Sequence, residues 1–304
     1  MNKCNIVCAI DDSYAQHLAV LMISLIDKNK SREFSFYILN DYISSETCEK
    51  LNSILRGTHH EISYISVDMS DYKSCPVGQW NKIMYLKLLT PGLLPASVER
   101  YLFLDVDVIV NSDIGELYDE PFGDAEIIAC EDIPDCIEHK KRLGLPHEWP
   151  YINSGVMLVN LQQWRKRDVD CFSYMRSKNI KFINDQDVHA CYFGGKIKIL
   201  PIKWNMVTFY FMRKPKIFQS YLDQLKEGRK KPSIIHFACP IKPWYKDCQH
   251  PYAQLYRKYL SKTPWKDYSF PYYEKLGAYQ RVKKKVRLFF NKIGLIRDDY
   301  YNVK

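Results

Sequence analysis

The chain has 304 residues, of which 46% are hydrophobic and 26% are charged, a balance that suits one large or two ordinary globular domains and argues against extensive disorder. The formal net charge of +9 lies mostly in residues 281–297, which hold seven Lys or Arg and no acid. Because the basicity is mostly a property of the tail and no nucleic-acid-binding module is recognisable, we expect no nucleic-acid partner.

The amino-terminal apolar stretch NIVCAI has only six residues, too few for the apolar core of a secretory signal. No uninterrupted apolar run reaches the roughly 18 residues that are typical of a membrane span. The ten cysteines are irregularly spaced and form no CxxC pair, which favours buried free thiols over a disulfide framework or a zinc site. We therefore expect a cytoplasmic protein.

Apolar strands alternate with amphipathic helices through the first two-thirds of the chain. The strand pattern NIVCAI precedes the helical pattern HLAVLMISLIDKN, and FSFYILN precedes SSETCEKLNSILRG, which is followed by EISYISV. The second helical pattern has Ser44 or Ser45 at its start and Gly57 at its end. Such alternation predicts an α/β fold with a mainly parallel central sheet covered by helices on both faces.

The stretch RYLFLDVDVIV places Asp105 and Asp107 within what is otherwise typical of a buried strand. Residues two apart on a strand point the same way, so the two carboxylates would face one spot and favour a bound cation. The alternative is that the strand ends at Leu104 and that both acids lie in a solvated loop. Asp11 and Asp12 follow the first strand, and ligands bind at the carboxyl ends of parallel strands, so we expect both pairs at one edge.

Later elements continue the pattern. Further strands are predicted at EIIACED, SGVMLVN and SIIHFA, which ends near His236, and DQDVHACYF has the acidic start of a helix. Tyr and Lys become denser after about residue 240. The sequence thus predicts a single domain, residues 1–265, followed by a basic and aromatic helical tail, residues 266–304.

Four motifs follow one another in a recognisable order: LFLDVDVIV, YINSGVMLVNLQQWR, NDQDVHA and HFACPIKPW. Together with the early IVCAIDDSY, they resemble the family eight retaining glycosyltransferases, and most closely the bacterial lipopolysaccharide sugar transferases, over about residues 5–250. The resemblance implies a single Rossmann-like nucleotide-sugar-binding domain of the glycosyltransferase A type. It also implies transfer of a hexose from UDP-galactose or UDP-glucose to a lipopolysaccharide or other surface-glycan acceptor.

The same resemblance implies how the UDP-sugar donor is held. A divalent ion, Mn²⁺ with Mg²⁺ as the alternative, would bridge the donor diphosphate to Asp105, Asp107 and His236, and Asp105 would also contact ribose. Hard carboxylate oxygens with one imidazole suit such an ion. The other residues that the resemblance assigns are Ala9, Asp11 and Ser13 for the base and ribose, Lys242 for the phosphates, Asn153, Asp185 and Gln186 for the donor sugar, and Asp132 for the acceptor side.

Ordinary roles remain open for several of these residues. His236 could be a hydrogen-bonded strand histidine, and Lys242 could be a solvated loop lysine. Asp185 and Gln186 could be polar residues of the first turn of a helix.

The sequence also bears on the reaction path. A double displacement needs a carboxylate nucleophile beneath the anomeric carbon. By the family resemblance, the residue at that position in this chain is Gln186, a poor nucleophile. We therefore expect front-face transfer, in which the leaving phosphate takes the acceptor proton while Gln186 stabilises the oxocarbenium-like centre. Asp185 and Asp132 are the other catalytic candidates.

Two positions depart from the family pattern. Lys87 stands where the family usually has Arg, which keeps a donor-binding charge but loses the planar fork. Cys239 stands where the family has glycine, a residue that lets backbone approach phosphate closely. Two rival hypotheses therefore stay open: a non-catalytic member that binds nucleotide or glycan, and a glycogenin-like self-glucosylating initiator.

The tail contains one apolar stripe, made of Val282, Val286, Phe289, Ile293 and Ile296, on a helical pattern whose other positions are largely Lys and Arg. A basic amphipathic helix of this kind favours attachment to an anionic membrane surface, so we expect the protein at the inner face of the cell membrane. The alternative is a C-terminal helix that packs on its own domain with a solvated basic face.

Overall fold

The computed structural model describes residues 2–72, 81–133, 136–273, 277–292 and 300. The strands are β1 Asn2–Ala9, β2 Arg32–Asn40, β3 Glu61–Ser66, β4 Arg100–Leu104, β5 Val108–Val110, β6 Ile127–Glu131, β7 Ile152–Asn160, β8 Ile197–Ile199, β9 Met206–Val207 and β10 Ile234–His236. The α-helices are α1 Ala15–Lys28, α2 Ser45–Leu55, α3 Thr90–Leu93, α4 Gly115–Tyr118, α5 Cys136–Leu143, α6 Leu161–Trp164, α7 Cys171–Ser177, α8 Asp185–Phe193, α9 Leu222–Lys230, α10 Ala253–Leu260 and α11 Ala278–Lys292. Short 3₁₀ helices span Asp12–Tyr14, Ser70–Tyr72, Lys82–Leu89, Gly194–Lys196, Ile202–Trp204, Thr208–Phe211 and Gln219–Tyr221.

The main sheet has seven strands in the order β3-β2-β1-β4-β7-β6-β8. Neighbouring strands pair in parallel except at β7, which runs antiparallel to both β4 and β6. The predicted α/β architecture with a mainly parallel central sheet is therefore confirmed.

Both faces of this sheet are covered, as the apolar strands require. Along β1, Ile6 and Cys8 belong to a core cluster shared with α1 and α2, while Val7 belongs to a second cluster on the opposite face. On β4, Leu102 and Leu104 likewise face the first cluster, and their neighbours face the second. This alternation follows from the two-residue period of a strand, and it leaves both faces of the sheet buried.

The second helix begins and ends where its sequence pattern indicates. Ser44 is the N-cap and accepts a hydrogen bond from the backbone N–H of Thr47 at 3.3 Å. Gly57 lies just beyond the helix with φ of 74°, a left-handed conformation that glycine adopts without a steric penalty. The helix therefore ends at a defined residue, and the chain continues into β3, which pairs in parallel with β2.

The stretch from Arg100 to Val110 is not one strand, as its pattern had indicated, but two. β4 ends at Leu104, the chain turns through residues 105–107, and β5 then joins a different, three-stranded sheet in the order β5-β10-β9. Two carboxylates between covered faces would be costly without partners, so the strand leaves the main sheet where Asp105 begins. In the second sheet Val108 pairs with His236, which brings a distant histidine next to both acids.

The cysteines of the described residues are free thiols, and six of them are buried: Cys4, Cys8, Cys130, Cys136, Cys171 and Cys191. This agrees with the prediction of buried thiols for these positions.

The chain beyond residue 265 first packs onto the body of the protein and then forms α11. Tyr268 and Phe270 pack against a third core cluster, which includes Phe237 and Tyr256. The backbone N–H of Lys246 donates to the carbonyl of Pro271 at 2.8 Å. On α11, the stripe residues Val282, Val286 and Phe289 are exposed; Ile293 and Ile296 lie outside the described residues. None of the helices within the described ranges combines the length and the apolar character needed to cross a membrane. The division of the chain at residue 265 stays a prediction.

Candidate active site

Three predicted ligands converge at the carboxyl end of β4. One ligand atom from each of Asp105, Asp107 and His236 lies within 4.8 Å of the others, and the Nε2 atom of His236 is 3.2 Å from Oδ1 of Asp107. The two acids come from the turn between the sheets, and the imidazole comes from the end of β10. A cluster of two carboxylates and one imidazole has the donor set that Mn²⁺ accepts.

Opposite charges hold each of the two acids. Lys242 places its ammonium 2.5 Å from Oδ2 of Asp107, and Lys87 places its ammonium 3.3 Å from Oδ1 of Asp105. Burial would raise the pKa of Asp107, but the charges of Lys242 and His236 outweigh it and hold that pKa well below its usual range. At Asp105 the loss of solvent on burial, together with repulsion from Asp107, outweighs the attraction of Lys87 and raises the pKa of Asp105. A divalent cation between the two carboxylates would offset this repulsion, so the residues present fit such an ion.

A glycine makes room for the cluster. Gly155 lies on β7, and its carbonyl accepts the backbone N–H of Asp105 at 2.8 Å. A Cβ atom at this position would lie 2.4 Å from Cε1 of His236 and 2.8 Å from Oδ2 of Asp105. Both distances are shorter than van der Waals contact, so His236 and Asp105 can approach each other only because residue 155 has no side chain.

The imidazole of His236 is oriented by a buried amide. Nδ1 of His236 lies 2.9 Å from Oδ1 of Asn205, and Nδ2 of Asn205 donates to Oδ1 of Asn153 at 2.9 Å. The amide oxygen accepts, so Nδ1 carries a proton and Nε2 is the ring nitrogen that faces Oδ1 of Asp107. This is the arrangement by which outer hydrogen bonds fix the tautomer of a metal-binding histidine.

Lys87 connects Asp105 to the start of α8. The ammonium, on a side chain only 3% exposed, lies 3.0 Å from Oδ2 of Asp185, which also accepts the hydroxyl of Ser154 at 2.6 Å. Burial would lower the pKa of Lys87, but Asp105 and Asp185 outweigh it and raise that pKa. The ammonium also lies 4.4 Å from the centre of the Phe103 ring, so it holds two acids of the cleft at fixed positions.

Both polar atoms of the Gln186 side-chain amide form hydrogen bonds. Its Nε2 donates to Oδ2 of Asp132 at 3.0 Å, and its Oε1 accepts the backbone N–H of Ser154 at 3.2 Å. The structure therefore brings together Gln186, Asp185 and Asp132, which the sequence assigned to the sugar and acceptor sides. The α8 helix begins at Asp185, with Asn184 as the N-cap, so Asp185 and Gln186 do occupy a helix first turn as well.

Asp11 and Ser13 lie together after β1, where Ala9 is the last strand residue. Oδ1 of Asp11 accepts both the backbone N–H of Ser13 at 3.0 Å and its hydroxyl at 2.6 Å, and Oδ2 accepts Nδ2 of Asn81 at 2.9 Å. Asp12 instead accepts the backbone N–H of Ser44 at 2.8 Å, which lowers its pKa. The two adjacent acids therefore have different partners. Asp11 binds Ser13 and Asn81 beside the site, and Asp12 connects its loop to the start of α2.

An aromatic contact anchors the loop that carries Lys242. Trp244 is buried and stacks on His17 of α1 with ring centres 3.6 Å apart, and Lys242 donates to the carbonyl of Phe237 at 2.8 Å. Within the described ranges every residue with positive φ is a glycine, so Cys239 adopts an ordinary backbone conformation in this loop. The cysteine therefore causes no backbone strain where the family has glycine.

Comparison with known proteins identifies the chain. The model of the family described as "Glycosyl transferase family 8" matches residues 5–248, which include all the residues just described. The chain belongs to glycosyl transferase family 8. The predicted resemblance is confirmed.

Individual relatives within family 8 support the same assignment. The chain is 29% identical to general stress protein A of Bacillus subtilis over 278 residues, covering 86% of this chain and 94% of that protein. It is 27% identical to a lipopolysaccharide 1,2-glucosyltransferase of Escherichia coli over 299 residues, covering 95% and 86%. Among solved structures it is similar to galactosyltransferase LgtC in complex with donor and acceptor sugar analogues, with a TM-score of 0.76, 25% identity, and coverage of 92% and 99%. This likeness confirms the glycosyltransferase A type fold.

Sequence reasoning missed three residues that this family 8 member places in or beside the cleft. Gly155 lay inside a quoted motif, but only the tertiary contact shows that a side chain there would meet His236. Asn205 belongs to no motif that we had singled out, so no local signal pointed to it. Tyr14 follows Ser13 and is 42% exposed; its position between the Asp11 loop and Trp244, 6.0 Å away, could have been inferred from the early motif.

Proposed function

We propose that this protein is a divalent-metal-dependent, retaining hexosyltransferase that transfers glucose or galactose from a UDP-sugar to a lipopolysaccharide or other surface-glycan acceptor. The observation that carries the proposal is the meeting of Asp105, Asp107 and His236 at the carboxyl end of β4. Family membership and the names of the relatives agree with it.

The donor diphosphate would be held by the ion at the three ligands and by Lys242. When bound, Mn²⁺ or Mg²⁺ would neutralise charge that develops on the departing nucleoside diphosphate. Lys242, fixed by Asp107 and the Phe237 carbonyl, would add a second positive charge to the phosphates. Asp11, Ser13 and Ala9 would bind the ribose and base, and the exposed ring of Tyr14 offers a surface on which a base could stack.

The donor sugar would be held by Asn153, Asp185 and Gln186. Within the described ranges, the contacts of the Asp185 carboxylate all run through Oδ2, which leaves Oδ1 for a sugar hydroxyl. Oδ1 of Asn153 already accepts from Asn205 and from the backbone of Gly155, so its Nδ2 is the atom available to the sugar. Donor specificity would therefore depend on one acceptor and one donor atom at this side of the cleft.

Retention would follow from front-face transfer rather than from a covalent intermediate. An amide is a poor nucleophile, and both ends of the Gln186 amide are already held by hydrogen bonds. A carbonyl oxygen has two lone pairs, so Oε1 can accept from Ser154 and still stabilise positive charge at the anomeric carbon. The leaving phosphate would take the proton from the acceptor hydroxyl.

The test is hydrolysis of a panel of UDP-sugars with Mn²⁺ and without acceptor, comparing the wild type with Asp107→Asn. We expect slow release of UDP from UDP-glucose or UDP-galactose, lost in Asp107→Asn. The control is Asp223→Asn, which neutralises an exposed carboxylate on α9 and should leave hydrolysis unchanged. UDP binding with Mn²⁺ but no turnover, even with glycan acceptors, would favour the binding-only hypothesis; a mass gain of the protein itself would favour self-glucosylation.

Membrane attachment at the inner face of the cell membrane is part of the same proposal. Val282, Val286 and Phe289 are exposed on one side of α11, spaced by four and three residues, and exposed Lys283 and Lys285 lie on the same helix. Apolar side chains combined with lysines suit an anionic lipid surface. Co-sedimentation with anionic liposomes should fall in Phe289→Asp and persist in Gln280→Asp, its matched control; equal recovery of both variants would contradict the anchor.

A further inference from the structure

A cleft of about 490 Å³ lies next to the sugar side of the site, between α5, the end of β6 and the segment around Phe218. The residues that give it its chemical character are Glu131, Lys140, Lys141, Leu145, His147 and Phe218. A concave site of this size, with apolar walls and a few polar groups, is typical of small-molecule recognition.

The cleft and the reaction centre both adjoin the end of β6. Glu131 lines it, and the next residue, Asp132, accepts the hydrogen bond from Gln186. The α5 wall is fixed, because Arg142 forms a 2.6 Å ion pair with buried Asp187, in the first turn of α8. A molecule in this cleft would therefore lie near Asp132, the hydrogen-bond partner of Gln186.

Positive charge dominates this cleft. Lys140 donates to the carbonyl of His147, and Lys141 is exposed and forms no ion pair with any residue in the described ranges. Exposed Lys214 and Lys216 precede the Phe218 wall. The opposing acid on the wall, Glu131, accepts the hydroxyl of Tyr221 at 2.8 Å.

We propose that this cleft binds part of a glycan acceptor that carries a phosphate or carboxylate group. This inference rests on the proposed transferase function and adds the chemical class of the acceptor. Phe218 and Leu145 provide apolar surface for a sugar ring, and the Lys141 ammonium provides a cation for the anion. Binding of the anion here would direct a hydroxyl of the acceptor towards Gln186 and Asp132.

The experiment is isothermal titration of the full chain, with UDP and Mn²⁺ present, using glucose 6-phosphate, glucuronic acid, glucose and inorganic phosphate as probes. We expect either anionic sugar to bind about fivefold more tightly than glucose, the size of one favourable ion pair at a partly exposed position. The preference should disappear in Lys141→Glu and persist in Lys141→Arg. Lys30→Glu is the control for net charge, because Lys30 precedes β2 at the opposite end of the strands.

Equal affinity for glucose and the anionic sugars, or a preference that survives in Lys141→Glu, would overturn the proposal. Inorganic phosphate binding as tightly as glucose 6-phosphate would also overturn it, since the cleft would then recognise a free anion rather than a sugar. Binding of UDP and Mn²⁺ is measured separately in the same samples, so a failure of the transferase proposal would be recognised independently.

Discussion

Gly155→Ala tests whether the close approach of His236 and Asp105 is what creates the metal site. The new methyl group would lie 2.4 Å from Cε1 of His236 and 2.8 Å from Oδ2 of Asp105. To reach ordinary contact, His236 would have to move by about 1 Å, whereas a competent metal site tolerates ligand displacements of about 0.2 Å. Nδ1 of the ring is held by Asn205 at 2.9 Å, so moving the ring would also disturb this buried hydrogen bond.

We expect the affinity for Mn²⁺, measured with UDP present from the electron paramagnetic resonance signal of free Mn²⁺, to fall by about tenfold or more. Overpacking of this kind should also lower the free energy of unfolding by about 1–3 kcal/mol, measured by urea denaturation. The matched control is Gly92→Ala, where an added Cβ meets no atom within 4 Å. Wild-type Mn²⁺ affinity in a folded Gly155→Ala protein would refute the reasoning.

Three further changes test the rest of the site and the core. Lys87→Met should lower the free energy of unfolding by about 3 kcal/mol, because it leaves the buried Asp185 and the partly buried Asp105 without their cation; urea denaturation should show a smaller loss for Lys87→Arg, and equal losses would contradict this. Asn205→Ala should weaken Mn²⁺ binding about tenfold by freeing the tautomer of His236, and unchanged binding would count against that role. The free energy of unfolding should fall by about 3 kcal/mol in total when the pH is lowered from 6.5 to 5.5, because three buried neutral histidines take up protons only when the chain unfolds. Identical urea midpoints at the two pH values would contradict this. Burial lowers their pKa values to about 3, 4 and 3 for His17, His189 and His250.

The charges around Asp105 and Asp107 do not balance. Three carboxylates, those of Asp105, Asp107 and Asp185, face two ammonium groups, those of Lys87 and Lys242. The excess of negative charge favours a divalent cation. Lys87, which the sequence assigned to donor binding, is directed at protein oxygens in this arrangement and serves at least to position the two acids.

The sequence alone determined the alternation of strands and helices, because two-residue and 3.6-residue apolar periods and capping residues such as Ser44 act over short distances. It also placed the acids Asp11 and Asp105 at one edge, since the carboxyl ends of parallel strands coincide. The ordered motifs then allowed family resemblance to assign His236 and Gln186. All of these signals are carried by residues close together in the chain.

Only the tertiary structure decided between the two hypotheses for Arg100–Val110 by ending β4 at Leu104, and only it showed what surrounds the proposed metal ligands. Gly155 meets His236 across 81 positions of the chain, and Asn205 meets it across 31. Such contacts depend on how the sheet that contains β7 packs beside the sheet that contains β10. The local periodicity of the sequence does not encode this arrangement. The sequence therefore supplied the candidate site residues, and packing decided how closely their atoms approach and how His236 is oriented.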